Sequence, residues 1–308
     1  MLHLKGRKRD FISLADYSRE EIWELLHTAR QLKIAHKTGH AQPLLKDKTL
    51  AMIFQKPSLR TRVSFEVGMT QLGGHAIYLA PSDIQLGVRE TIEDVAKTLS
   101  RYVNGIMARV FGHEVVEELA KHASVPVING LSDREHPCQI LGDLLTVWEV
   151  KGHVEGLTLA WVGDGNNVCH SWLQAAPKLG MAVRVATPEG FEPLPQIVEY
   201  AKGFDVPVEL LHDPVEAVKN ADVVYTDVWA SMGEEAVAEK KKQAFQGFRV
   251  NKELMRHAKP DAIVMHCLPA HYDEELAHDV AHGPQSVIFD QAENRLHAQK
   301  AILALLLR

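Results

Sequence analysis

Cysteine is scarce in this chain. Its 308 residues include three, Cys138, Cys169 and Cys267. A set so small, and odd in number, makes no disulfide framework. A chain of this length buries enough surface to fold without one. Aromatic residues are few, at 6%, which gives no surface for stacking bases. Positive charge is not in excess either. Lys and Arg total 34 against 40 Asp and Glu, a net charge of −6. General nucleic-acid binding needs the opposite balance, although a local basic site for a small anion stays open. Long apolar runs are missing: the longest, Ala301 to Leu307, falls well short of the about 20 residues of a membrane span. Lys5, Arg7, Lys8 and Arg9 are followed by Asp10, Ser13 and Asp16 rather than an apolar stretch. No secretory signal is read there, and a cytoplasmic location is expected.

The remainder has a soluble globular composition, 46% hydrophobic and 24% charged. At roughly 150 residues per domain the length predicts about two domains. Ser18 and Glu21 form a capping-box pattern ahead of Ile22, Leu25, Leu26, Ala29 and Leu32 at helical spacing. Beyond it, short apolar runs alternate with helical patterns. Strands are predicted at 49–54, 76–79, 105–110 and 125–128, with helices at 59–72, 92–102, 114–123 and 139–150. A second series has strands at 157–162, 182–186, 222–227, 262–265 and 287–289, with helices at 167–179, 195–201 and 214–219. This alternation predicts an α/β protein of two domains, each a parallel sheet flanked by helices. A boundary is expected near 151–156, where a helix ending at Val150 would link the halves. The last helix, 293–307, is strongly apolar and is expected to pack back on the first domain. The charged run 239–242 reads as a solvated face.

In α/β sheets, ligands sit beyond the carboxyl ends of the strands, and the polar motifs of this chain fall there. Ser58-Leu59-Arg60-Thr61-Arg62 opens the helix after the first strand. A helix start with free N–H groups, hydroxyls and arginines suits phosphate, though a capped surface helix has the same sequence. Arg109 follows an apolar run and offers a second anion contact, or a surface ion pair. His136-Pro137-Cys138-Gln139 supplies groups that polarise a carbonyl and read an amide. Gly163-Asp164-Gly165-Asn166-Asn167 resembles a dinucleotide turn, but Val168 replaces its third glycine and Thr187 stands where a ribose-binding acid is needed. Asp227, followed by Ser231-Met232-Gly233, suits an ammonium group, or caps the next helix. His266-Cys267-Leu268-Pro269 offers a thiol that is either a nucleophile or a small buried group. Each cysteine has a histidine nearby, but the spacings match no zinc pattern, so no metal is expected.

Together, and in this order over nearly the whole chain, these motifs and Ala292–Arg295 resemble the ornithine carbamoyltransferases of the aspartate/ornithine carbamoyltransferase superfamily. The resemblance implies an enzyme that makes L-citrulline and phosphate from carbamoyl phosphate and L-ornithine in arginine metabolism. It implies no cofactor and a homotrimer, or a multiple of one, with sites shared between subunits. It assigns residues 1–150 with 293–308 to carbamoyl phosphate and 151–292 to ornithine. Ser58, Leu59, Arg60, Thr61, Arg109, His136, Gln139, Cys267, Leu268 and Arg295 would form the carbamoyl phosphate site, with Gln85 reaching a neighbouring subunit's site. Leu59 stands where many relatives carry Thr, a change that a backbone N–H contact tolerates. Asn167, Asp227, Ser231 and Met232 would hold ornithine, and Arg109, His136, Asp227 and Cys267 would be catalytic. A sister transferase using another amine, a nucleotide-dependent oxidoreductase and a non-catalytic relative are the alternatives.

Overall fold

The computed structural model describes residues 8–230 and 238–308, so Ser231 and Met232 lie outside the described residues. The chain forms two compact units. One runs to Leu145 and takes in Glu293–Arg308, and the other is Thr146–Ala292.

In the first unit α1 (Arg19–Lys37) precedes β1 (Thr49–Phe54), α2 (Leu59–Gln71), β2 (His75–Leu79), α3 (Pro81–Ile84) and α4 (Ile92–Tyr102). Then come β3 (Gly105–Arg109), α5 (His113–His122), β4 (Val127–Leu131) and α6 (Pro137–Lys151), which runs on into the second unit. The capping box of α1 forms as expected, with Ser18 Oγ accepting from the Glu21 N–H and Glu21 from the Ser18 N–H. The strands are parallel in the order β2-β1-β3-β4. Leu50 to Phe54 of β1 are all buried, as a parallel strand covered on both faces requires. The strand order reverses at β1, so a crevice opens between the carboxyl ends of β1 and β3.

The second unit continues with β5 (Thr158–Val162), α7 (Asn167–Ala175), β6 (Ala182–Ala186), α8 (Pro195–Lys202), β7 (Val208–Leu211) and α9 (Pro214–Val218). It ends with β8 (Val223–Thr226), α10 (Ala238–Ala244), α11 (Lys252–Met255), β9 (Ile263–His266), α12 (His278–Ala281) and the start of α13 (Ile288–Leu306). Its parallel order is β7-β6-β5-β8-β9, which puts the switch point between β5 and β8. Under that point Trp161 stacks on Tyr225 at 5.2 Å, and Trp172 meets Tyr225 edge-on at 5.7 Å. Each such buried ring contributes roughly 1.5–3 kcal/mol, so the frame around the switch point is firmly held.

The later part of α13 packs on the first unit, as the sequence predicts. Lys33 Nζ donates to Asn294 Oδ1 at 2.8 Å, and Lys300 Nζ to Gln71 Oε1 at 2.9 Å. Leu307 lies so close to Gly105 that a Cβ there would meet its Cδ1 at 3.0 Å. No described helix is long and apolar enough to cross a membrane.

The structure corrects the sequence reading in several places. The run 287–289 is not a strand: the Val287 N–H donates to the Val264 carbonyl at 3.1 Å, and α13 begins at Ile288. Strand β7 was not foreseen, because edge position leaves Glu209 and Leu210 exposed and its apolar signal weak. Strand β4 starts two residues later than expected and extends to Leu131, carried by a bridge from Phe11 to Ile128 and by the Val110 N–H on the Leu131 carbonyl. The helix after β5 ends at Ala175, and Pro177–Leu179 follows as a 3-10 turn. The run 239–242 is not simply a solvated face. Lys241 is buried, and its Nζ meets Asp164 Oδ2 at 2.8 Å.

Candidate functional site

In the first unit α2 opens at the carboxyl end of β1. Ser58 caps it, its Oγ accepting from the Thr61 N–H at 3.2 Å. This cap turns Leu59 outward, 72% exposed, and Thr61 inward, 1% exposed. Arg109 is the last residue of β3, the strand beside β1, and its Nη1 donates to Thr61 Oγ1 at 3.3 Å. Arg295 of α13 donates to the same oxygen from Nη2, also at 3.3 Å. Two guanidinium groups therefore converge on one hydroxyl.

His136 directly precedes α6, and its carbonyl accepts from the Gln139 N–H at 3.0 Å. Pro137 suits the first helical position because no N–H is needed there. Gln139 thereby enters the first turn, buried, with Nε2 donating to Asp143 Oδ1 at 2.8 Å and Oε1 accepting from Arg295 Nη1 at 2.6 Å. Arg295 is completed by Nε donating to Gln299 Oε1 at 3.0 Å, and Gln299 Nε2 donates to Ser64 Oγ at 2.7 Å. Burial first, and then the charges of Arg295, Arg109 and Arg60, hold His136 well below the ordinary imidazole range. At neutral pH the ring is uncharged and carries one N–H, among three guanidinium groups. That is a site for an anion with an adjacent carbonyl.

In the second unit Gly163 takes φ 145°, a conformation that disfavours side chains, and turns the chain away from β5. Asn166 caps α7, its Oδ1 accepting from Val168 and Cys169 N–H at 2.9 and 3.2 Å. Its Nδ2 donates across the switch point to Asp227 Oδ2 at 2.8 Å. The other carboxylate oxygen of Asp227 accepts from the Val228 N–H at 2.8 Å and from Cys267 Sγ at 3.0 Å. Asp227, just after β8, thus does not cap a helix start; it is fixed by the turns after β5 and β9. Asn167 is the first residue of α7 and half-buried. Asn166 is a partner the sequence reading missed, although Asn is a preferred N-cap and the motif contains it.

His266, the last residue of β9, is fully buried. Its Nδ1 accepts from the Leu268 N–H at 2.8 Å, which leaves Nε2–H to donate to Glu275 Oε1 at 3.1 Å. Leu268 has φ 58° and precedes a cis Pro269. Left-handed backbone at a leucine is strained, and the bond to His266 holds it. Asp227, His266 and Cys267 bring ligating atoms within 4.8 Å of one another. Both His266 nitrogens are already engaged, so these residues do not suit a metal. Cys138 is buried, its thiol pushed up to about 12 and donating to the Asn129 carbonyl. Burial also holds the Cys169 thiol well above the usual range. Neither is a nucleophile. Gln85 is exposed at the end of α3 with φ 47°.

Comparisons with known proteins add to this geometry. Residues 9–149 match the family model for the aspartate/ornithine carbamoyltransferase carbamoyl-P binding domain, and 155–306 match its Asp/Orn binding domain. The chain is 60% identical to the ornithine carbamoyltransferase of Pyrococcus abyssi, over 100% of this chain and 98% of that one. It is 59% identical to the anabolic ornithine carbamoyltransferase of Pyrococcus furiosus, over 97% and 96%. The solved Pyrococcus furiosus ornithine carbamoyltransferase superposes with a TM-score of 0.96 at 58% identity, covering 100% of this chain and 99% of that one. The Thermus thermophilus structure gives 0.89 at 50% identity, covering 97% and 99%. Motif order, fold and solved relatives agree along the whole length: this chain belongs to the ornithine carbamoyltransferases of the aspartate/ornithine carbamoyltransferase family.

Proposed function

We propose that this chain transfers the carbamoyl group of carbamoyl phosphate to the δ-amine of L-ornithine, releasing L-citrulline and phosphate in arginine biosynthesis. The observation that carries this reading is the convergence of Arg109 and Arg295 on Thr61 Oγ1, each at 3.3 Å, in a unit that also buries His136 and Gln139.

Ser58, Thr61 and the N–H groups at the start of α2, with Arg60, Arg109 and Arg295, hold the phosphate. His136 gives its one N–H to the carbamoyl oxygen, with Arg109 and Thr61 beside it. Arg295 takes one lone pair of Gln139 Oε1; a carbonyl oxygen has a second, which accepts from the carbamoyl amide. The carbonyls of Cys267 and Leu268 accept the remaining amide hydrogen. Asp227 has used three acceptor positions, on Val228, Cys267 and Asn166. A carboxylate has about four, and the last faces a substrate ammonium group. Asn167, Ser231 and Met232 complete the amino-acid contacts.

The reacting amine must first lose a proton, since an alkylammonium has a pKa of about 10.4. Its lone pair then attacks the carbamoyl carbon, the bond to the phosphate oxygen breaks with its electrons leaving on phosphate, and the leaving phosphate takes the surplus proton of the amine nitrogen. Negative charge grows on the carbamoyl oxygen and on the leaving phosphate, where the N–H and guanidinium donors point. The nucleophile is the substrate's own amine, so no covalent enzyme intermediate and no cofactor enters. A cytoplasmic homotrimer, or a multiple of one, belongs to the same reading, with Gln85 reaching a neighbouring subunit's phosphate.

The test is product formation from carbamoyl phosphate with L-ornithine, putrescine, N-acetylornithine and L-aspartate in parallel, without added metal or nucleotide. Citrulline from ornithine alone is expected. Preference for another amine would keep the phosphate site and overturn the ornithine assignment.

A further inference from the structure

We infer that Lys241 is a positioning residue for the amino-acid substrate, acting through Asp164 on the turn that holds Asp227. The inference rests on the placement of ornithine beside Asp227 and Asn167 proposed above.

Backbone hydrogen bonds tie the turn between β5 and α7 to its neighbours, from the Gly163 N–H to the Ala186 carbonyl at 3.1 Å and from the Gly165 N–H to the Phe191 carbonyl at 2.9 Å. Gly163 adopts φ 145°, and a Cβ on Gly165 would meet the Pro193 nitrogen at 2.3 Å. Neither glycine brings a side chain that could lock the turn. Asp164, between them, is the anchor. Its carbonyl accepts from Trp161 Nε1 at 2.9 Å, and its carboxylate from Lys241 Nζ at 2.8 Å. The two side chains are only 13% and 8% exposed.

A buried ion pair is weak as a source of stability, because desolvating both charges offsets their attraction. It does fix geometry, since a 2.8 Å contact between two largely buried groups holds both in place. This pair fixes two things to one another. One is the turn, two residues before Asn166, whose amide donates to Asp227 Oδ2 at 2.8 Å. The other is α10, which carries Lys241 and leads into Phe245. The Phe245 ring stacks on Trp229, two residues beyond Asp227, at 5.7 Å. Lys241 therefore ties both sides of the Asp227 carboxylate together: the asparagine that orients it, and the aromatic layer beneath the chain that leaves it.

Without the lysine, the Asp164 carboxylate would lose this contact, and the turn from Gly163 to Asn166 would relax. Asn166 would then lose its register with Asp227. Ornithine binding should weaken, while the Arg60, Arg109 and Arg295 set, built in the other unit, keeps its affinity for carbamoyl phosphate.

The experiment compares wild type, Lys241→Met, Lys241→Arg, Asp164→Asn and the Lys241→Met/Asp164→Asn pair. Citrulline formation gives KM for ornithine and kcat, titration with carbamoyl phosphate gives its Kd, and melting gives Tm. Lys241→Met should raise KM for ornithine at least tenfold with the carbamoyl phosphate Kd within twofold. Lys241→Arg should recover most of the loss. The paired variant, which buries no unpaired charge, should fold and show an ornithine defect no larger than the worse single one. An unchanged ornithine KM in any folded variant lacking the lysine charge overturns the inference, even if Tm falls. Wild type that makes no citrulline overturns the functional reading and this inference with it. Citrulline from wild type with no KM effect in the variants overturns the inference alone.

Discussion

Arg295 Nη1 donates to Gln139 Oε1 at 2.6 Å, joining residues 156 positions apart in the chain. The last helix thus brings a cation to Gln139 and Thr61, both from the first half of the chain. Both residues are buried, and a buried guanidinium is tolerated only where hydrogen bonds and an anion or dipoles answer its charge. Gln139, Gln299 and Thr61 supply the dipoles.

Arg60→Ala should weaken carbamoyl phosphate without disturbing the fold. Arg60 lies in the first turn of α2 and is only part-buried. Its loss removes a charge-assisted contact of about 1.5–3 kcal/mol, roughly a 10- to 150-fold rise in Kd. Calorimetric titration reads this directly, and a Kd within threefold of wild type would remove Arg60 from the phosphate site.

Gly142→Ala should damage the same site from a position with no polar atom. Within a helix, glycine is less favourable than alanine by roughly 0.5–1 kcal/mol, so propensity alone predicts stabilisation. A Cβ at Gly142, however, would lie 3.2 Å from Arg295 N and 3.3 Å from its Cα and Cδ. Either α13 shifts away from α6 or the Arg295 side chain moves. Net destabilisation of about 1–3 kcal/mol and weaker carbamoyl phosphate binding are expected. Melting and titration together check it; a higher Tm with unchanged Kd would show that the helices yield freely.

Asp227→Asn should fall on ornithine. The substitution removes the charge opposite the substrate ammonium. It also sets one amide NH2 against another where Asn166 now donates to Asp227. Charge-assisted bonds of this kind are worth about 1.5–3 kcal/mol, so the ornithine KM should rise roughly 10-fold or more and kcat should fall. Steady-state kinetics separates the substrates. A variant impaired only in carbamoyl phosphate would reverse the assignment.

His297 should make stability pH-dependent. Burial lowers its pKa to about 4, with Lys300 and Lys33 acting in the same direction and the Glu293 hydrogen bond opposing them. In the unfolded chain the ring titrates at about 6.5. Between those values the unfolded state binds a proton that the folded state refuses. The stabilisation is therefore full above about pH 6.5 and is lost as pH falls toward 4. His297→Gln removes this contribution, so the Tm gap between variant and wild type should narrow from pH 7.5 to pH 4.5. A constant gap would count against a neutral buried His297.

Much of this organisation was written along the chain. The capping box at Ser18 and Glu21, the apolar run of β1 and the exit motif Ser58 to Arg62 are local, so their periodicity and hydrogen-bonding chemistry read directly. Strand alternation set the fold class. Local signals failed where tertiary contacts decided the outcome. Val287 makes one strand-like hydrogen bond before α13 begins, and an apolar triplet does not tell that apart from a strand. Edge strand β7 buries too little to show alternation.

Residue types and local patterns specify which chemistry is available: arginines, a histidine and hydroxyls at strand ends, and an aspartate ahead of Ser231-Met232-Gly233. Which of those groups meet depends on long-range pairing and packing. Parallel pairing brought the ends of β1 and β3, and of β5 and β8, side by side. The return of α13 placed Arg295 against Thr61 and Gln139. Packing buried Lys241 on Asp164, in a run whose composition had suggested open solvent. Periodicity and capping are properties of neighbours in sequence, whereas the protonation of His136 and the pairing of Lys241 depend on which distant charges share a region without water.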